Sequence, residues 1–169
     1  MSGKPLSAPV VAITSTPNGQ GYWLVGSDGG VFAFGNAGFY GSTGGASSSS
    51  PVVGLAATTN GHGYWIVRAN GQVMVFGDAT SSKTLVPSTS GPVTSIASDP
   101  TGTGFWVVTS SGLVIGSNGA PSLGSLTGIK LAAPIVQMVP TSDGKGYWLI
   151  GSDGGVFAFG DAPFLGSSA

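Results

Sequence analysis

The sequence predicts an all-β fold, a β-propeller built of four blades of about 42 residues with four strands each. Three observations predict it. Trp23, Trp65, Trp106 and Trp148 fall at one phase, 42, 41 and 42 residues apart. A proline stands 14 residues before each of them, at Pro9, Pro51, Pro92 and Pro134. Behind each proline, short apolar runs alternate with Gly, Asn and Asp, and no segment has helical periodicity. Four strands in ~40–45 residues is the size of a propeller blade. A β-trefoil would repeat three times, and a β-solenoid has a much shorter period.

Each repeat opens on an apolar run behind its proline: Val10 to Ile13, Val52 to Leu55, Val93 to Ile96 and Ile135 to Met138. Proline at the first position of a strand removes no needed ladder donor. The third residue after each of the first three prolines is small (Ala12, Gly54 and Ser95), as crowding near an axis requires. A turn follows, marked by Asn18-Gly19, Asn60-Gly61, Thr101-Gly102 and Asp143-Gly144.

The second strand is the aromatic run beginning Tyr22-Trp23, Tyr64-Trp65, Phe105-Trp106 and Tyr147-Trp148. These runs are apolar on successive residues rather than alternating, which predicts strands covered on both faces. Trp23, Trp65, Trp106, Trp148 and their neighbours Tyr22, Tyr64, Phe105 and Tyr147 are therefore the predicted repeat core. Asp28-Gly29, Asn70-Gly71, Ser111-Gly112 and Asp153-Gly154 then predict hairpins, with type I′ turns expected at the Asx-Gly pairs. The third strand follows at Val31 to Phe34, Val73 to Phe76, Leu113 to Ile115 and Val156 to Phe159. A short fourth is expected at Phe39 to Ser42, Lys83 to Val86, Ala120 to Ser125 and Phe164 to Ser167.

Residues 1–8 read as an N-terminal lead-in, with Met1 to Lys4 too short and polar for a signal peptide. The propeller domain is then 9–169, with repeats 9–50, 51–91, 92–133 and 134–169. Two closures remain open: a monomeric four-bladed ring, or a homodimer completing an eight-bladed one.

Composition narrows the function. Gly and Pro make up about a quarter of the chain, yet they recur at fixed places, and 41% of residues are apolar, which is a packed domain rather than a linker. Six Asp, no Glu, four Lys and one Arg give a net charge of −1. No basic stripe exists to neutralise phosphates, so nucleic acid is not an expected partner. No apolar run approaches the ~18 residues of a membrane span. Without cysteine there is no disulfide framework and no thiol chemistry.

Residues 21–37 (GYWLVGSDGGVFAFGNA) and 146–162 (GYWLIGSDGGVFAFGDA) carry a resemblance. They are similar to tandem repeats of exported actinobacterial proteins, which often accompany cell-wall hydrolase or other extracellular domains. The match is specific in repeats one and four and looser in two and three. It implies a secreted or cell-surface accessory module. No catalytic or ligand residues come with it.

No set of residues assembles into a catalytic or metal site. His62, the single histidine, has no nucleophile elbow to serve and no second His or Cys with which to hold zinc. Asp28, Asn70 and Asp153, and likewise Asn36, Asp78 and Asp161, read as turn residues. Equivalent positions on different blades diverge, whereas calcium needs converging oxygens. The Gly-x-Gly pairs at 19–21, 61–63, 102–104 and 144–146 lead into strands, not helices, and so are not dinucleotide fingerprints. An enzyme is not expected, and neither is a cofactor or a metal.

The positions that differ between repeats are where one scaffold places specificity. They are Gln20, His62, Thr103 and Lys145 in the first turn, then Arg68 with its equivalents Gly26, Thr109 and Gly151. The expected function is a non-catalytic extracellular binding module recognising cell-envelope carbohydrate or an extracellular protein. The alternative is a scaffold for assembly beside an attached enzyme.

Overall fold

The computed structural model describes residues 6–46, 48–81 and 86–168. Its strands are β1 Val10–Ser15, β2 Gly21–Gly26, β3 Val31–Gly35, β4 Val52–Ala57, β5 Gly63–Arg68 and β6 Val73–Gly77. They continue as β7 Val93–Ser98, β8 Phe105–Thr109, β9 Val114–Ser117, β10 Ile135–Pro140, β11 Gly146–Gly151 and β12 Val156–Gly160. Four separate antiparallel sheets result, each with three strands in chain order. The tryptophans hold one register in all four, opposite Ala33, Val75, Gly116 and Ala158 on the third strands. Each first strand also carries an irregularity near its start, between Val10 and Ala12 in the first sheet.

Among the described residues the sheets have three strands, not the four predicted. The tails at 39–42, 120–125 and 164–167 run without regular pairing, and Lys83, Thr84 and Leu85 lie outside the described residues. The reason is local. Gly41, Gly124 and Gly166 take φ of 137°, 134° and 123°, outside the strand region, so no ladder continues through them. The first and third tails lean on the next sheet instead: Tyr64 Oη donates to the Gly41 carbonyl at 2.6 Å, and Tyr147 Oη to that of Gly124 at 2.5 Å. A Cβ at Gly41 would strike the Phe76 ring, and one at Gly124 that of Phe159.

The hairpins also differ from the predicted type I′ form. That turn needs positive φ at both central residues, whereas Asp28, Asn70 and Asp153 all have negative φ. The loops hold three residues and close with Gly in the left-handed region, at Gly29, Gly71, Gly112 and Gly154. The Asp28 carboxylate is then free to accept the Gly30 N–H at 2.9 Å, as Asn70 and Asp153 do for Gln72 and Gly155.

The sheets pack face to face in series, β1 along β4, β4 along β7 and β7 along β10. The first three tryptophans each meet the aromatic residue of the following sheet: Trp23 on Tyr64 at 5.8 Å, Trp65 on Phe105 at 5.0 Å and Trp106 on Tyr147 at 5.8 Å. Each indole N–H is satisfied by the carbonyl 15 residues on, at Gly38, Thr80, Pro121 and Pro163. A buried indole needs such a partner. The prediction that all eight aromatics are core fails at the two ends of the series. Tyr22 is 39% exposed and Trp148 is only half-buried, because among the described residues no sheet packs on the outer face of the first or of the fourth.

Burial raises the Tyr64 and Tyr147 phenols above the usual 10.0, the bonds to backbone groups opposing this in part. The unfolded chain therefore ionises first as pH rises, so the contribution of these groups is complete below about pH 10 and lost above it. The double variant Tyr64→Phe, Tyr147→Phe should be less stable at pH 7, by about 1 kcal/mol per lost bond. It should also show a shallower loss of stability as the pH rises above about 10, measured by denaturant unfolding.

Candidate binding rim

The loops between first and second strands are built alike. In the first, Gly21 N–H donates to Thr16 Oγ1 at 2.9 Å, and the Thr16 hydroxyl lies 2.9 Å from Asn18 Oδ1. Asn18 Oδ1 also takes the Gln20 N–H, and Asn36 Nδ2 at 3.0 Å. The second loop repeats this with Thr58, Asn60 and Asp78, Asn60 Nδ2 lying 2.6 Å from Asp78 Oδ2. The fourth repeats it with Thr141 and Asp143. The third substitutes Asp99, whose carboxylate accepts from the Thr101 amide and hydroxyl.

Asn36 and Asp78 thus tie the loop after the third strand to the first turn of the same sheet. Sequence reading missed this clamp. The signal was an Asx in both turns of the same repeat, as in Asn18 with Asn36, Asn60 with Asp78, and Asp143 with Asp161.

Neighbouring loops touch. Thr59 Oγ1 reaches the Gly102 carbonyl at 3.4 Å, Gly61 lies against Pro17, and Gly144 against Asp99 and Thr101. The four turns therefore form one continuous rim. Gln20, His62, Thr103 and Lys145 are all exposed on it. His62 lines a groove of about 330 Å³ between the first two turns, with Asn18, Asn36, Tyr40 and Asn60. Thr103 borders a smaller one of about 60 Å³ beside Trp65 and Asp78. Lys145 pairs with Asp143 at 3.7 Å in the open. The Thr141 hydroxyl, then the Lys145 N–H, hold the Asp143 carboxyl below its usual range. That contribution is present near neutrality and disappears as pH falls through the lowered value.

Arg68 belongs elsewhere. It sits at the hairpin end of its sheet, 4% exposed, with Nη1 donating to the Ser50 carbonyl at 2.7 Å. Its guanidinium braces the linker rather than facing solvent. The four first strands together line a hollow of about 350 Å³, bordered by Ala12, Gly54, Ser95 and Gln137 among others. Among the described residues no three His, Asp or Glu side chains stand together as a metal site, and no helix is long and apolar enough to cross a membrane.

No protein-family model and no curated protein matches this sequence. Among solved structures it is similar to the β-propeller domain of Cps50 (Swd1) from Myceliophteria thermophila, at a TM-score of 0.62 over 91% of this chain. The fold is propeller-like. With 13% identity the likeness carries the fold alone, and the chain spans about half (53%) of the length of the domain it matches.

Proposed function

We propose that this domain is a non-catalytic recognition module of an exported protein, and that it binds through the rim of first turns. The observation that carries the reading is the rim's construction. Similar turns, pinned by side-chain hydrogen bonds, each present one exposed residue that differs from its fellows: Gln20, His62, Thr103 and Lys145. A rigid frame with varied loop residues is how a fold acquires specificity. The near-neutral chain favours an uncharged partner over a polyanion.

A cell-envelope polysaccharide suits the groove beside His62, whose amides, hydroxyl and aromatic edge resemble a sugar-binding lining and whose volume reaches the lower range of ligand sites. The resemblance of residues 21–37 and 146–162 to repeats of exported proteins supports that setting. The scaffold reading is favoured by the propeller-like fold and by the apolar faces at the two ends of the sheet series.

The test is a pull-down on insoluble peptidoglycan and a panel of polysaccharides, with the double variant Gln20→Ala, His62→Ala in parallel. Both residues are exposed, so the variant should keep its circular dichroism spectrum. Binding that saturates in the parent and weakens at least about tenfold in the variant is expected. Retention by no glycan would reject the carbohydrate reading and leave the scaffold.

A further inference from the structure

The two end faces of the sheet series are the two halves of the joint that the chain already makes three times. At each internal joint the first amide of a sheet bonds to the hairpin loop of the sheet before it: Val52 to Ser27 at 2.8 Å, Val93 to Ala69 and Ile135 to Ser110 at 2.9 Å. Val10 N–H and the Ser152 carbonyl hold these two positions at opposite ends of the molecule. The apolar residue at the middle of each first strand is buried in the joint at Leu55, Ile96 and Met138, none more than 8% exposed. Its equivalent in the first sheet, Ile13, is 67% exposed.

Aromatic contacts repeat the pattern. Trp23, Trp65 and Trp106 each lie against the next sheet's Tyr64, Phe105 or Tyr147, which leaves Trp148 at one end and Tyr22 at the other. Gly166 decides the matter. Its counterparts Gly41 and Gly124 take positive φ where the phenylalanine of the following sheet leaves no room for a Cβ. Gly166 takes the same conformation, at 123°, with nothing within 4 Å of its would-be Cβ. It is shaped for a phenylalanine that the chain does not bring to it. Phe34 is the residue at that place in the first sheet, stacked on Tyr22 at 5.0 Å.

The chain does not join these faces to each other, since β1 and β10 make no pairing comparable to β1 with β4. We propose that a second copy of the chain does, the fourth sheet of each copy packing on the first sheet of the other. Trp148 of one copy then lies on Tyr22 of the other, and Gly166 receives Phe34. Two identical joints related by a twofold axis close an eight-bladed ring. The match of this chain to about half of a propeller domain accords with that arc.

The experiment is sedimentation equilibrium of the full chain at micromolar concentration, with Ile13→Asp and Leu165→Asp as variants. Both residues are exposed in the single chain, Leu165 at 83%, so each variant should stay folded by circular dichroism. The parent should show twice the chain mass of 16.5 kDa. Each variant alone should run as a single chain, association being weakened about a hundredfold or more by burying a charge. Mixing the two variants should restore the double mass, because a mixed pair keeps one joint with both faces intact. A parent at 16.5 kDa, assemblies larger than two chains, variants that still pair, or a mixture that stays single would each overturn the proposal.

Discussion

Replacing Trp65 by alanine should lower the unfolding free energy by about 3–5 kcal/mol, the cost of deleting a buried aromatic and leaving its cavity. The indole is 1% exposed and lies between the second and third sheets, 5.0 Å from the Phe105 ring. Its N–H donates to the Thr80 carbonyl at 2.9 Å, which the substitution leaves without that donor. The same change at Trp148 removes the same atoms and the same kind of hydrogen bond, to Pro163, but no sheet follows to be unpacked. In the single chain Trp148→Ala should therefore cost roughly half as much. Denaturant unfolding of both variants measures the difference. Equal losses would mean that the joint between sheets contributes nothing at Trp65. If the two-copy ring forms, the Trp148 variant becomes concentration-dependent, and the comparison is made on the Ile13→Asp background.

The repeat was legible because its signals are period and punctuation. Proline, then the Gly-aromatic-Trp run, then Asx-Gly or Ser-Gly placed three strands per repeat within a residue or two of where they lie. The fourth strand was not legible. Phe39-Tyr40-Gly41-Ser42 and Phe164-Leu165-Gly166-Ser167 have strand composition, but Gly41 and Gly166 take φ of 137° and 123°, a freedom that glycine has in any setting and that the flanking residues do not announce. The same limit applies to the aromatics: Tyr22 and Tyr147 lie in nearly identical runs, yet one is exposed and the other buried. Position in the series separates them, and position is not a property of the run.

The rim was half visible. Gln20, His62, Thr103 and Lys145 stood out as variable, and the structure places them along one edge. The clamp behind them needs Asn18 and Asn36 to meet across 18 residues, a tertiary fact. Arg68 stood out for the same reason as the rim residues and turned out to be buried. Variation between repeats marks a place where neighbours differ, and the neighbour here is the linker carbonyl of Ser50.

Gly63→Ala should destabilise the chain by about 1–3 kcal/mol, although its backbone has no need of glycine. Gly63 opens β5 with φ outside the left-handed region. What it lacks is space: an added Cβ would stand 2.5 Å from the Phe76 carbonyl oxygen, and 2.7 Å from both Ala79 N and Asp78 Oδ1. These are atoms of the end of β6 and of the loop after it, whose backbone would have to retreat, taking Asp78 away from Asn60 and loosening the clamp under the rim. Gly21, Gly104 and Gly146 are hemmed in by the same backbone groups of their own sheets, so the close approach is a property of the unit. Gly61, two residues earlier, is glycine for the other reason. Its φ is 74° and its nearest would-be neighbour is the edge of Pro17 at 3.0 Å, so alanine there should cost about 1–2 kcal/mol, mostly as backbone strain. Asparagine separates the two causes. Gly61→Asn should recover most of the lost stability, because asparagine tolerates the left-handed region, whereas Gly63→Asn should be worse than Gly63→Ala, because it adds atoms where there is no room. Denaturant midpoints of the four variants measure this. A Gly63→Asn variant as stable as the parent would show that the loop after β6 yields freely and that the rim is not held rigid from beneath.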